Sequence, residues 1–433
     1  MSLQKRVMYS ALGIPILALA VAGCGSSATP TASSSPKHVT ITFEGSLVRG
    51  PYSTYMQTLV KKFEKQNPHI TVTLIGQPNW MVLHAALITA VTGGSPPTIG
   101  QVENSWVPRY AQSNALVPLN SFIKGSSGLS ATQIRAFWPQ VWNQQWFSGK
   151  VYTMPFATSD TILYYNASWL MKDHLPVPTT LQQLANDMKA ATSTSHNTWG
   201  ISMDPGTSSA AANGTYWFIS LLHAYGGHLI QGNKVVWDSS AGVHALQYIQ
   251  NLYRAGALKL GNNYPGQAAL MSDHALFDIS SDTSYPYFMS ARTSSFNLQA
   301  IPLPPGPAGQ GDVSTGFNLA IFSAASAAQQ QAAWQFLKFI NTPANQAYWS
   351  ENTAYLPTTS TSMSDISPSV QKQPWLTAGT KSLPYARKLP AKAGLSQILG
   401  NLSAAIDHAL ITNENAGAAL QTSAQAAQQL LAP

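Results

Sequence analysis

From Val39 onward the apolar positions change period in an ordered way. Val39, Ile41 and Phe43 alternate with threonines, the pattern of a half-buried strand, and Met56, Leu59, Val60 and Phe63 then fall three and four apart, on one helical face, until Asn67-Pro68 stops the run. Ile70, Val72 and Leu74 alternate again, 81–91 reads as a second helix, Gly93-Gly94-Ser95-Pro96-Pro97 breaks it, and 99–102 reads as a third strand. This βαβαβ opening predicts a mainly parallel sheet with right-handed crossovers, whose ligand crevice lies beyond the carboxyl ends of its strands at 44–51, 77–80 and 103–106. Further on, 151–154 reads as a strand that runs into Pro155-Phe156-Ala157-Thr158-Ser159-Asp160, and 162–165 reads as another. After Trp169 helical stretches alternate with Gly/Asn-rich turns up to Leu298, 301–307 reads as a stiff Pro-rich connector, and 317–322 as a late strand.

The first residues set the compartment. Lys5 and Arg6 precede an apolar run, 7–22, that Pro15 interrupts and that falls short of the roughly 20 residues needed to span a bilayer, so it reads as a signal peptide. It ends Leu19-Ala20-Val21-Ala22-Gly23-Cys24, which resembles the bacterial lipobox, and the resemblance implies lipidation of Cys24. Because Cys24 is the single cysteine of the 433 residues, no intrachain disulfide and no cysteine metal site can form. The Ser/Thr/Ala/Gly/Pro segment 25–36 reads as a flexible tether.

Composition adds one unusual feature: only 9% of residues are charged, against roughly a quarter in an ordinary domain. A surface so poor in carboxylates suggests an acidic milieu and predicts a stability that changes little between neutral pH and about pH 3. The formal charge is +7, yet its cations form no stripe of the kind that binds nucleic acid; Lys61-Lys62 with Lys65, and Arg387-Lys388 with Lys392, read as solvated surface.

Five segments in order resemble the family 1 bacterial extracellular solute-binding proteins, with likeness to both the maltose-binding and the glycerol-3-phosphate-binding branches. They are Thr92 to Asn104, Pro155 to Asn166, Pro178-Thr179-Thr180-Leu181-Gln182-Gln183-Leu184, Trp334 to Pro343, and Thr353-Ala354-Tyr355-Leu356-Pro357. The resemblance implies an α/β fold of type II, two lobes with a cleft between them. A signal peptide (1–23) and lipidated tether (24–36) would precede a first lobe at 37–152, a second lobe at 153–305, a return to the first at 306–352 and second-lobe helices at 353–433. Segments near 154–160, 302–307 and Tyr355 would cross between the lobes. It implies a monomeric protein outside the cytoplasm, anchored to the cell membrane, which captures a small solute, needs no cofactor and passes the solute to ABC permease subunits.

The same resemblance nominates the cleft residues: Trp80; Glu103 and Asn104; Thr158, Ser159 and Asp160; Tyr216 and Trp217, expected just ahead of an apolar helix; Ser281, Asp282 and Tyr285; Gly316; and Tyr355. Aromatic faces with a few placed hydroxyls suit the C–H faces and O–H edges of a sugar. Two cargoes stay open, a di- or oligosaccharide and sn-glycerol 3-phosphate or its diesters, although Arg387, Lys388 and Lys392 do not align with the late arginine of the phosphate branch. Two other classes stand beside capture. A glycoside hydrolase would need two carboxylates about 5–9.5 Å apart, which Glu103, Asp160 and Asp282 could supply, and an adhesive lipoprotein would need no cleft. No His-Glu-x-x-His, P-loop or Gly-x-Ser-x-Gly pattern appears, and His223 and His228 are separated by the helix-breaking Gly226-Gly227, so no metal site is expected.

Overall fold

The predicted alternation at the start of the chain becomes a parallel sheet edge. The computed structural model describes residues 38–206, 213–291, 296–392 and 394–431; the signal segment, Cys24 and the tether lie outside the described residues. Val39–Gly45 runs parallel to both Ile70–Gly76 and Ile99–Val102. The helix Ser53–Gln66 between the first two strands buries Met56, Leu59, Val60 and Phe63, and the next, Trp80–Thr92, starts where the Asn79 side chain accepts the Val82 N–H at 2.9 Å.

The centre differs from the sequence expectation. The two short strands expected at 151–154 and 162–165 are one strand of 14 residues, Thr153–Asn166, buried along its whole length. Pro155 and the polar Thr158-Ser159-Asp160 suggest a break because local pattern cannot show that a distant segment pairs with them. That segment is Asp312–Ile321, longer than the expected 317–322 strand; it lies antiparallel to 153–160 on one side and to Ile99–Val102 on the other. The ladder shifts register between Phe317 and Asn318, which face Ala157 and Pro155, so Phe156 is the extra residue of a bulge. A bulge is one of the few strand positions that tolerates proline.

At Thr161 the long strand changes partner. Its last pair with the return strand is Asp160 with Ser314, and from Thr161 on it pairs antiparallel with Ala275–Ser281. Leu298–Pro302 fills the opposite edge of 162–166. Beyond Ala275–Ser281 the sheet continues in parallel through Trp199–Met203 to Leu258–Leu260. The expected connector is therefore partly strand. Gly306 and Gly309 close a turn on each other, and Ala308 N–H bonds Ala224 O at 2.9 Å, so 303–309 packs on the second half of the fold. The passage between the halves is made by the strand Asp312–Ile321 instead of by 302–307.

A separate core fills each half. Ile41, Phe43, Phe63, Phe156, Trp334, Phe336 and Trp349 form one, with the helix Ala327–Ile340 across it. Leu163, Trp217, Phe218, Trp237, Ile249 and Phe277 form the other, closed by the helices Leu395–Ile411 and Ala416–Leu430 through Leu402, Ile406 and Leu420. Both cores draw residues from the same long strand. No described helix is long and apolar enough to cross a membrane.

Gly316 sits on the return strand beside the bulge with φ +121°, and a Cβ there would lie 2.0 Å from Ala157 O. Neither the conformation nor the space admits a side chain. Gly316→Ala is expected to lower stability by at least about 2 kcal/mol, measurable as a fall in denaturation midpoint; an unchanged midpoint would show that the strand can move aside.

Candidate functional site

Beyond the strand ends, where the long strand exchanges partners, lies a cavity of about 350 Å³. Ser159 and Thr161 of the long strand, with Thr315, Gly316 and Phe317 of the return strand, line its floor. One wall carries Trp80, Glu103, Ser105 and Tyr355, and the other carries Tyr216, Tyr264 and the run of hydroxyls Ser280, Ser281, Thr283 and Ser284. Each wall grows out of a different core: Trp80 opens its helix beside Leu83 and Trp106, and Tyr216 packs against the core around Trp217. Tyr355 stacks near-parallel with Trp349 and lies tilted against Tyr52 at centroid distances of 6.4 and 6.2 Å, which holds its ring.

Seven of the nominated residues therefore meet at one cavity: Trp80, Glu103, Ser159, Tyr216, Ser281, Gly316 and Tyr355. The other six stand behind it. Asn104 spends its amide on Gln144 at 2.7 Å and accepts from Asn318 at 2.9 Å, which ties the loop to the return strand. Thr158 is buried and its carbonyl accepts the Leu356 N–H at 2.8 Å. Tyr216 and Trp217 lie inside the helix Asn213–Ala224, not ahead of it, so their side chains diverge and Trp217 is buried in the core. Tyr285 bonds Gln373 through its hydroxyl. Asp160 and Asp282 are wholly buried beneath the floor. His223 is also buried, its Nδ1 bonded to the Asp312 carbonyl at 3.1 Å.

The sequence reading missed Tyr264 and the helix that closes one end of the cavity. Tyr264 is left-handed (φ 61°, ψ 51°) immediately before the helix Pro265–Met271, and it is 41% exposed. A non-glycine residue in that conformation marks a backbone held in place by its surroundings. From the last helices Ser396, Gly400 and Ser403 face the cavity, with Ser403 Oγ 2.6 Å from Thr215 Oγ1. Their spacing of four and three, all small, was the available signal, but small residues on a helix face also serve close packing.

The buried acids have a structural cause. Where the long strand leaves one partner for another, the Asp282 carboxyl lies beside the Asp160 amide and the Asp312 carboxyl beside the Thr161 amide, each near enough for the amide to favour the ionised form. Asp282 also accepts from Ser159 Oγ at 2.5 Å and Thr283 N–H at 2.9 Å. Between described residues the one ion pair is His408 with Glu414, so no Lys or Arg neutralises these carboxyls. Among the described residues no three metal-ligating side chains converge either. Burial accordingly raises all of them: Asp160 to about 8, Asp278 to about 7, and Asp282 and Asp312 well above the ordinary range, these last two also through repulsion by Asp160. Glu103 is pushed up to about 7 by burial, against the opposing effect of Ser105 Oγ.

A model of the bacterial extracellular solute-binding protein family matches residues 58–378. The maltodextrin-binding protein MdxE of Bacillus subtilis is 24% identical over 253 residues, 57% of this chain and 54% of that protein, so the match spans about half of the relative. The sn-glycerol-3-phosphate-binding periplasmic protein UgpB of Pectobacterium atrosepticum is 22% identical over 382 residues, covering 82% of this chain and 81% of the relative. Among solved structures, the GacH receptor of Streptomyces glaucescens superimposes with a TM-score of 0.76 at 23% identity, over 90% of this chain and 98% of that one. The fold is thus the two-lobed α/β fold of periplasmic sugar-binding proteins.

The acids replace the flat pH profile expected from the sparse surface charge with a sloping one. A carboxyl raised by folding keeps its proton where the unfolded chain has lost it, so its stabilisation is complete below about pH 4 and is lost as pH rises through about 7 to 8. Each group contributes a slope of at most about 1.4 kcal/mol per pH unit. The thermal midpoint is expected to be several degrees higher at pH 5 than at pH 8, with the difference reduced in Asp160→Asn; equal midpoints in the native protein would contradict the buried-acid account.

Proposed function

The chain belongs to the bacterial extracellular solute-binding protein family, and on that premise we propose that it captures a di- or oligosaccharide between its lobes for delivery to ABC permease subunits. The observation that carries this reading is the convergence of Trp80, Tyr216, Tyr264 and Tyr355 with a row of serine and threonine hydroxyls around one cavity. Rings cover the apolar C–H faces of a sugar, and hydroxyls exchange hydrogen bonds with its edges. A maltodextrin-binding relative supports the same ligand class.

In this reading the first lobe comprises 37–152 with 306–352, the second lobe 153–305, and the helices of 353–433 close the second. The two strands that cross between lobes act as the hinge, and closure over the sugar is the state a permease would read. The protein does no chemistry on its cargo. Hydrolysis would require two carboxylates at the cavity, and among the described lining residues Glu103 is the only acid, while Asp160 and Asp282 are wholly buried beneath the floor. Cys24 carries the lipid that holds the protein at the outer face of the cell membrane; the support is its place at the end of the signal segment.

Calorimetric titration of the purified protein with maltose, maltotriose and longer glucans is expected to give saturable binding, weakened about tenfold or more by Trp80→Ala or Tyr264→Ala. Binding that is indifferent to both substitutions would remove the aromatic walls from the account. Incorporation of radiolabelled palmitate by cells producing the protein is expected to vanish in Cys24→Ala; persistent labelling would place the anchor elsewhere.

A further inference from the structure

We infer that the cavity selects its carbohydrate by charge, accepting an uncharged or amine-bearing sugar and rejecting phosphorylated and acidic ones, and that Glu103 is the residue that sets this selection. The inference rests on the carbohydrate reading above and specifies its ligand class.

Three observations lead to it. Glu103 is the one ionisable acid among the described lining residues, and no Lys, Arg or His stands among them. The cations nearest in the chain to the cavity wall are turned away from it. Leu389 and Leu395 line the cavity, whereas Arg387 Nη1 donates to Gly227 O at 3.4 Å, Lys388 Nζ to Asn143 O at 3.3 Å and Lys392 Nζ to Asn233 Oδ1 at 2.5 Å. Finally, two of the lining hydroxyls are backed by buried carboxyls: Ser159 of the floor donates its proton to Asp282 and Ser280 of the wall donates to Asp278.

The last point decides which hydrogen bonds remain for a ligand. A hydroxyl whose proton is held by a buried carboxyl oxygen presents only lone pairs to the cavity. Such a surface suits sugar O–H and ammonium N–H donors. A phosphate or carboxylate, which can only accept when fully ionised, needs several donors or a cation, as the fork of an arginine would supply. Ser284, which accepts from Gln267 Nε2 at 2.9 Å, keeps its proton for a ligand oxygen, and neutral hydroxyl donors of this kind serve a neutral sugar without balancing a formal charge.

Glu103 then adds repulsion to the missing attraction. Specificity of this kind comes as much from a built-in penalty against the wrong ligand as from contacts to the right one. The ionisable groups facing Glu103 are the phenols of Tyr216, from the helix Asn213–Ala224, and of Tyr355, both raised by burial and neutral through the physiological range. Ser105 of its own loop is its hydrogen-bond partner, at 3.4 Å. With its carboxyl at about 7, Glu103 is largely neutral at pH 5.5 and largely ionised at pH 8, so discrimination against anions deepens as pH rises.

The test compares four probes by calorimetry at pH 5.5 and pH 8, in the native protein and in Glu103→Gln: maltotriose, maltotriose carrying a terminal 6-phosphate, maltotriose carrying a terminal 6-amino-6-deoxy group, and sn-glycerol 3-phosphate. The expected result at pH 8 is that the neutral and amino forms bind at least about tenfold more tightly than the phosphorylated one. That ratio should narrow at pH 5.5 and fall by about tenfold in Glu103→Gln. A phosphorylated form that binds as well as the neutral sugar at pH 8, or a ratio unchanged in Glu103→Gln, would overturn the charge selection and leave the carbohydrate reading standing. Binding of sn-glycerol 3-phosphate while the three sugars stay unbound would overturn both.

Discussion

The architecture depends on a single strand that has to change partners halfway along. Thr153–Asn166 lies against the return strand as far as Asp160 and against Ala275–Ser281 from Thr161. A backbone amide at such a junction cannot rely on the ladder, and one left unbonded in the interior costs on the order of 1–3 kcal/mol. Here buried carboxyl groups stand beside the amides at the exchange, Asp282 near that of Asp160 and Asp312 near that of Thr161. Three aspartates are thereby crowded together without a cation, which explains why a chain so sparing of charge keeps some of its few acids in its interior.

The cavity follows from the same divergence. Two sheets that separate at a shared strand leave a wedge between the elements they carry, and the wedge is floored by whatever side chains and backbone the strands present there. Because Gly316 has no side chain, the return strand can come within van der Waals reach of Ala157 O. Aromatic side chains then enter from both lobes, each anchored in its own core. A site split between two cores linked by two strands is suited to opening and closing, since neither core has to be disrupted when the lobes turn.

Charge placement ties stability to recognition. The Asp282 carboxyl at the junction and the Asp278 carboxyl on the neighbouring strand draw the protons of Ser159 and Ser280 inward, so buried acids help determine which hydrogen-bonding groups line the cavity. With Lys388, Lys392 and Arg387 bonded elsewhere, the carboxyl that can charge the cavity wall among the described lining residues is that of Glu103. The late cationic segment that the sequence shows near the closing helices thus lies at the surface, with its charged ends bonded outside the cavity lining.

Local pattern was enough to determine the opening parallel strands and their helices, because period two and period 3.6 record which side of an element meets the core whatever that core proves to be. The ordered motifs likewise named seven residues that the fold gathers at one cavity. Tertiary structure alone decided the rest. Pro155 to Asp160 reads as a loop until a segment some 160 residues later supplies its hydrogen bonds. Asp160, Asp282 and Trp217 read as cleft residues because sequence names a side chain without saying which face of its strand or helix looks outward. Tyr264 escaped notice because its position comes from a left-handed backbone at a helix start, a conformation fixed by packing around it and not by its own residue type. Which groups line a binding site depends on the register between distant strands, and that register is set by the fold as a whole.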